Sequence, residues 1–282
     1  MGIMRAHIER LWLASRPLTL TGIVMLFAFV VSLAAMTVDP RTILSAPAWL
    51  KPAKFAISSA IYAFTFAWIF TYLPARRRLT TILGGVTAIV LVVENVIIEV
   101  QAARGVTSHF NIQTVLDATL FTTMGLAILT LGITAIVLTI ALFRQRFDDG
   151  AFGWALRLGL LLTVLGQSTG WLMTAPTRAQ LDSARTSGMP VSGSHTVGAP
   201  DGGLGLPIVG WSREHGDLRV PHFVGMHAVQ LLPAIAWLLG PLGSVVARRR
   251  AVFLVAAAYF AVFLLLLLQA LNGQPMLAMV SR

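Results

Sequence analysis

Apolar residues run in seven long blocks, divided by short stretches where arginine, proline and glycine collect. The blocks read as 18–38, 55–73, 79–101, 114–142, 152–174, 222–246 and 251–271. A run of about 20 apolar residues is long enough to cross a hydrocarbon core of about 30 Å as a helix. The pattern therefore predicts an all-α polytopic membrane protein, a seven-transmembrane-helix bundle. Four parts follow: a basic lead at 1–17, five spans within 18–174, a long loop at 175–221, and two spans with a short tail at 222–282. The basic lead followed by an apolar run also has the outline of a secretory signal, but the run is longer than a usual signal core and reads as a retained helix.

The arginines between the blocks set the orientation. With the N-terminus cytoplasmic, the inner segments hold Arg5, Arg10, Arg16, Arg76, Arg77, Arg78, Arg144, Arg146, Arg157, Arg248, Arg249 and Arg250. The short outer segments then hold only Arg41, Lys51, Lys54, Arg104 and Arg282. Lys and Arg accumulate on the cytoplasmic side of membrane proteins, so this count places the N-terminus inside and the C-terminus outside. Trp12 and Trp154 then fall near the inner interface, and Trp49 and Trp171 near the outer one. The expected location is a cell membrane, specifically a bacterial cytoplasmic membrane crossed several times.

Composition narrows the chemistry. Hydrophobic residues form 56% of the chain and charged residues 11%, against roughly 25% charged in soluble domains. The net charge of +10 does not indicate nucleic acid, because the arginines sit in short clusters beside apolar blocks; the partner they imply is the lipid bilayer. The chain has no cysteine, which excludes disulfides, thiolate metal sites and cysteine nucleophiles. Its only lysines are Lys51 and Lys54, so no lysine late in the bundle can form a retinal Schiff base.

Within the spans, ionisable and amide side chains gather toward the outer side, and such groups in hydrocarbon usually mark function. Glu94 lies about 10 Å below the outer end of the third span and Glu99 close to that end. Arg104 and His109 follow in the outer turn, and Asp117 opens the fourth span. His222 and His227 begin the sixth. Lys51, Lys54, Ser58, Ser59, Gln167, Ser168, Gln230 and Gln269 add polar groups at similar depth, whereas the inner halves read as almost wholly apolar. In the long loop, Thr177–Gly203 is rich in Ser, Gly and Pro and is expected to be mobile, with His195 incidental. Residues 204–221 are expected to be ordered and to cover the outer mouth.

Three chemistries fit this layer. A haem-binding redox protein would take axial ligands from His109, His222 or His227, with Arg104, Arg219 or the two lysines on the propionates and a quinone as a natural partner. The cofactor would be haem b or a transition metal such as zinc or iron. A metal-dependent hydrolase would use the same three histidines as ligands, with Asp117 or Glu99 as general base. A proton-coupled carrier or sensor would use Glu94 as its proton-binding group. Ser108-His109, Asp117 and the late histidine pair resemble the alkaline ceramidase and adiponectin-receptor superfamily, which implies a metal site and a lipid-like substrate. That family carries H-x-x-x-H, whereas His222 and His227 are five apart and about 140° apart on a helix. The haem or metal redox expectation stands first.

Overall fold

A computed structural model describes residues 2–240 and 244–279, the side chains of 2–5 and 278–279 excepted. The side chain of Arg5, all of Arg282 and positions 241–243 of the sixth predicted span therefore lie outside what is described. Among the described residues the chain is all-α apart from two short antiparallel strand pairs. Its helices are α1 (Gly2–Ala14), α2 (Arg16–Val38), α3 (Leu50–Phe70), α4 (Arg77–Ala103), α5 (Val115–Phe143), α6 (Gly150–Thr174), α7 (Arg178–Ala184), α8 (Arg219–Met226), α9 (Ala228–Leu238) and α10 (Val245–Leu271). Among the described residues, six helical segments are long and apolar enough to cross a membrane. These hold α2, α3, α4, α5, α6 and α10, which supports a multi-pass protein in a lipid bilayer. Large apolar side chains such as Phe27, Leu126 and Leu254 stand exposed along these helices, as side chains facing acyl chains do.

The sixth predicted span differs from expectation. The chain there forms two short helices, α8 and α9, that meet at His227. Pro233 lies inside α9, where a ring without an N–H disrupts helical hydrogen bonding. Thr163 of α6 bridges the break: its hydroxyl donates to Met226 O (3.1 Å) and accepts from Val229 N (3.2 Å). The second span starts at Leu50, five residues earlier than hydropathy placed it, so Lys51 and Lys54 are helical. Pro52 falls in the first turn of α3 and Pro221 in that of α8, where a missing N–H is tolerated.

The chain divides into two compact units, residues 1–134 and 135–282. In the first, α2, α3 and α4 pack together, and α1 lies against α2 and α3. Ser15 adopts an extended conformation as the N-cap of α2, and Pro17 falls in the first turn of that helix, so α1 and α2 are separate helices. Ile97, Ile98 and Met124 form a buried cluster with Phe55, Val93 and Leu120. The loop before α3 is tied by Asp39, which accepts from Arg41 and from Trp49 Nε1 (2.8 Å). Around it, Thr42–Ile43 (β1) pairs with Ala46–Pro47 (β2). The halves of the helices away from Glu94 prove less apolar than their hydropathy implies. Thr19, Thr80, Thr87 and Thr134 are all buried, and Thr87 Oγ1 meets Thr134 Oγ1 at 3.4 Å. Such hydroxyls bond to carbonyls of the preceding turn and so escape a hydropathy scan.

In the second unit, α6 packs on α8, α9 and α10 over a core that includes Ala155, Leu162, Leu232, Ala236 and Ala256. Asp149 caps α6 through the Ala151 and Phe152 amides and pairs with Arg248. Arg157 hydrogen-bonds Leu142 O and Gln145 O at the end of α5. The α6–α8 crossing is close enough that a Cβ on Gly166 would stand 2.5 Å from Gly225 C.

The Ser/Gly/Pro-rich stretch, expected to be mobile, is instead held by side-chain bonds. Thr177 and Gln180 form a capping box at the start of α7, and Gln180 also bonds Gly193 in both directions. Thr196–Val197 (β3) pairs antiparallel with Gly216–Asp217 (β4). Asp201 gathers the Ser194 hydroxyl (2.8 Å), the Thr196 amide (2.9 Å) and His195 Nδ1 (2.9 Å). His195 is thus a structural partner and not an incidental residue. Burial alone would raise the Asp201 carboxyl, but the donors from His195, Ser194 and Thr196 outweigh it and hold the group well below the usual carboxylate range. A carboxyl held low in the folded chain stabilises it above the ordinary value of about 3.9, and that contribution is lost as pH falls through the lower folded value. Hydrogen exchange at the Thr196 amide should therefore stay slow down to about pH 4 and accelerate only below it. Asp201→Asn should speed this exchange at neutral pH, and equal protection in the variant would contradict the assigned role.

Candidate functional site

Two groups of polar side chains emerge, one in each unit. In the first unit the α4–α5 loop brings His109 to Glu94. Phe110, the next residue, takes a left-handed backbone (φ 64°), a strained conformation for a bulky side chain. Its ring is buried against Phe121, and packing of this kind is what holds such a backbone in place. The His109 ring lies between Phe55 (5.4 Å) and Phe110 (6.0 Å). Its Nε2 stands 3.5 Å from Glu94 Oε1, and its Nδ1 stands 3.0 Å from Lys51 Nζ and 3.2 Å from Ser108 Oγ. Glu94 is 3% exposed, and among the described residues neither carboxylate oxygen has a hydrogen-bond partner. Ammonium, imidazole and carboxylate thus form a row from the start of α3 to the interior of α4. Beside Glu94, Asn95 Nδ2 donates to Ser59 Oγ and to Leu91 O, both at 2.8 Å.

Asp117 belongs to a neighbouring cluster with a different character. It is buried in the first turn of α5 and accepts from Gln101 Nε2 (2.8 Å), Arg104 Nη1 (2.6 Å) and Thr114 Oγ1 (2.6 Å). Arg104 also donates to Gln101 Oε1. A carboxylate at a helix N-terminus with three donors fixes that helix end to the last turn of α4. Glu99 is half-buried on α4, and the nearby Arg104 guanidinium goes to Asp117.

The second unit holds His222, His227 and Arg219. His222 Nδ1 lies 2.9 Å from Gly166 O, which sets Nδ1 as the protonated nitrogen, and 3.3 Å from Thr169 Oγ1. His227 stacks edge-on over Phe223 at 4.2 Å. The two imidazoles are therefore held by different neighbours, in keeping with their five-residue spacing. Arg219 forks onto Asp217 (2.9 and 2.6 Å) and reaches Gly210 O (2.5 Å). Asp217 also accepts the Arg219 and Ser212 amides, so it starts α8 and anchors the loop. Gly216 abuts Ala270 O and Gly273, which seats β4 on the end of α10.

Lys51 was weighed in the sequence only as a possible propionate partner; its part in the Glu94 row follows from the early start of α3. Thr163 carried no sequence signal beyond being a hydroxyl in an apolar helix. Among the described residues, no group of three or more His, Cys, Asp or Glu side chains is arranged to hold a metal ion. No family model, curated protein or solved structure matches the chain.

Proposed function

We propose that the protein is a proton-handling membrane protein, a carrier or sensor whose proton is bound and released at Glu94. One observation carries this reading. A carboxylate buried on an apolar helix of membrane-spanning length has both oxygens without hydrogen-bond partners among the described residues, while an imidazole stands 3.5 Å away, itself in contact with an ammonium. A buried carboxyl without donors is costly unless it takes a proton or faces a cation. His109 relays well here because its two nitrogens address Glu94 and Lys51 on opposite edges. In this reading the chain crosses a bacterial cytoplasmic membrane seven times with its N-terminus inside. The helices α8 and α9 together form one broken crossing, and the Glu94 site lies in the outer half.

Infrared difference spectroscopy of the bilayer-embedded protein during a pH titration tests it. Acidification should produce the C=O stretch of a protonated carboxyl, and Glu94→Gln should remove that band. His109→Ala should shift the pH at which the band appears. A spectrum identical in wild type and Glu94→Gln would sink the reading.

A second reading places haem b or a transition metal such as iron or zinc on His222, with a redox role and a quinone as partner. The observation favouring it is the Nδ1–H bond to Gly166 O, the orientation that ligating imidazoles usually have, leaving Nε2 as the ligating atom. A dithionite-reduced minus oxidised absorption spectrum of purified protein tests the haem form. Soret and α bands lost in His222→Ala would support it, and a flat spectrum from folded, haem-supplied protein would remove it.

A further inference from the structure

The first unit buries more polar groups than the Glu94 site uses. Asn95 is 2% exposed and its Oδ1 has no partner. Tyr62 of α3 is 5% exposed and its hydroxyl has no partner. Ser15 Oγ, at the break between α1 and α2, is likewise buried without a partner and lies against Gly84 of α4. Leaving a buried polar atom unsatisfied costs about 1–3 kcal/mol, and a native structure carries only a few of them per 100 residues. Ser15, Tyr62, Glu94 and Asn95 are within that number for the unit, so it is their alignment and not their count that points to a shared role.

Ser59, Tyr62, Phe66 and Phe70 recur at i, i+3, i+7 and i+11, so they share one stripe of α3. That stripe meets α4 at two points. Ser59 bonds Asn95 at one end, and Phe70 lies 3.3 Å from where a Cβ on Gly84 would stand at the other. Tyr62 falls between them on the same stripe of α3 and is buried. From Glu94 to Gly84 the seam runs ten residues of α4, about 15 Å, and it ends at Ser15.

We propose that this seam is a proton path that leads from the Glu94 site past Asn95, whose free Oδ1 holds a water, to the Ser59 and Tyr62 hydroxyls and on to Ser15, with water between the side chains. The proposal rests on the reading of Glu94 as the proton-binding group and gives that group a route to the opposite end of the unit. Each hydroxyl accepts a proton on its oxygen as it releases its own, so the chain of groups is unchanged after each passage. Tyr62 is a relay residue because its Oη can both accept and donate. Phe66, which stacks on Tyr62 at 4.1 Å, and Phe70 form the dry stretch before Ser15. Apolar constrictions of this kind gate by wetting and dewetting.

The test uses the full chain in liposomes that enclose a pH-sensitive dye, with a potassium diffusion potential to drive protons inward. Wild type should acidify the lumen faster than protein-free vesicles. Tyr62→Phe removes a hydroxyl that bonds no protein group, so the fold should survive. Its flux should fall about a hundredfold, the low end of what a positioned proton-transfer group contributes, while the Glu94 carboxyl band remains. Ser15→Ala supplies a second variant at the far end, with the same expectation. Wild-type flux in both variants would overturn the path. So would wild-type flux no greater than that of empty vesicles when the Glu94 band is present. Absence of the band from wild type would instead remove the Glu94 reading on which the path depends.

Discussion

Gly225→Val is expected to cost the second unit about 3 kcal/mol or more, the upper part of the range for overpacking. Two backbones meet at this point. A Cβ on Gly225 would overlap Gly166 Cα, and one on Gly166 would stand 2.5 Å from Gly225 C. Neither partner is the movable tip of a side chain, so relief requires α6 and α8 to separate. Separation would also disturb the Gly166 carbonyl that holds His222 and the Thr163 hydroxyl that joins α8 to α9. The measurement is thermal unfolding in detergent, followed by near-ultraviolet circular dichroism. A midpoint equal to wild type would show that the crossing is looser than described. Small residues allow such close approach between membrane helices in general; here both sides of the contact are glycine, so there is no slack to absorb a methyl group.

Arg104→Met is expected to destabilise the first unit by about 2–3 kcal/mol, below the usual cost of breaking a fully buried pair because the arginine side chain is 35% exposed. The loss arises on the other partner. Asp117 is 3% exposed and would keep only Gln101 and Thr114 as donors. Removing both charges should be far less damaging than removing one, since a buried ion pair replaced by apolar groups is often neutral. The double variant Arg104→Met/Asp117→Leu should therefore recover most of the loss in the same melting experiment. A double variant as unstable as the sum of its parts would mean that the two residues act independently.

Much of the fold was legible because hydrophobic blocks of span length have few alternatives. The predicted 18–38, 79–101, 114–142 and 152–174 lie within a few residues of α2, α4, α5 and α6. The break at His227 was not legible, since Ala228–Leu238 is as apolar as its neighbours and the feature that completes the break is a threonine 64 positions earlier. Depth along the helices placed Glu94, His109 and Asp117 toward one end, but depth cannot decide pairing. Arg104 lies five residues from Glu99 and thirteen from Asp117 in the chain, yet it is the more distant carboxylate that it meets. The loop was misjudged for a different reason. Its Ser, Gly and Pro content signals weak core-forming power, but Ser194, Thr196 and Asp201 are the residue types that bond local backbone. The run Ser194-His195-Thr196 followed by Asp201 was the signal available for that knot.

Thr163 gives the second unit a property that a continuous helix would lack. Interrupting a helix away from water exposes amide and carbonyl groups, each at a cost of several kcal/mol. By accepting from Val229 N and donating to Met226 O, one hydroxyl takes the place of solvent at the interruption. The chain can therefore change helix axis at an imidazole with its backbone groups satisfied by protein, so the break needs no water to complete it.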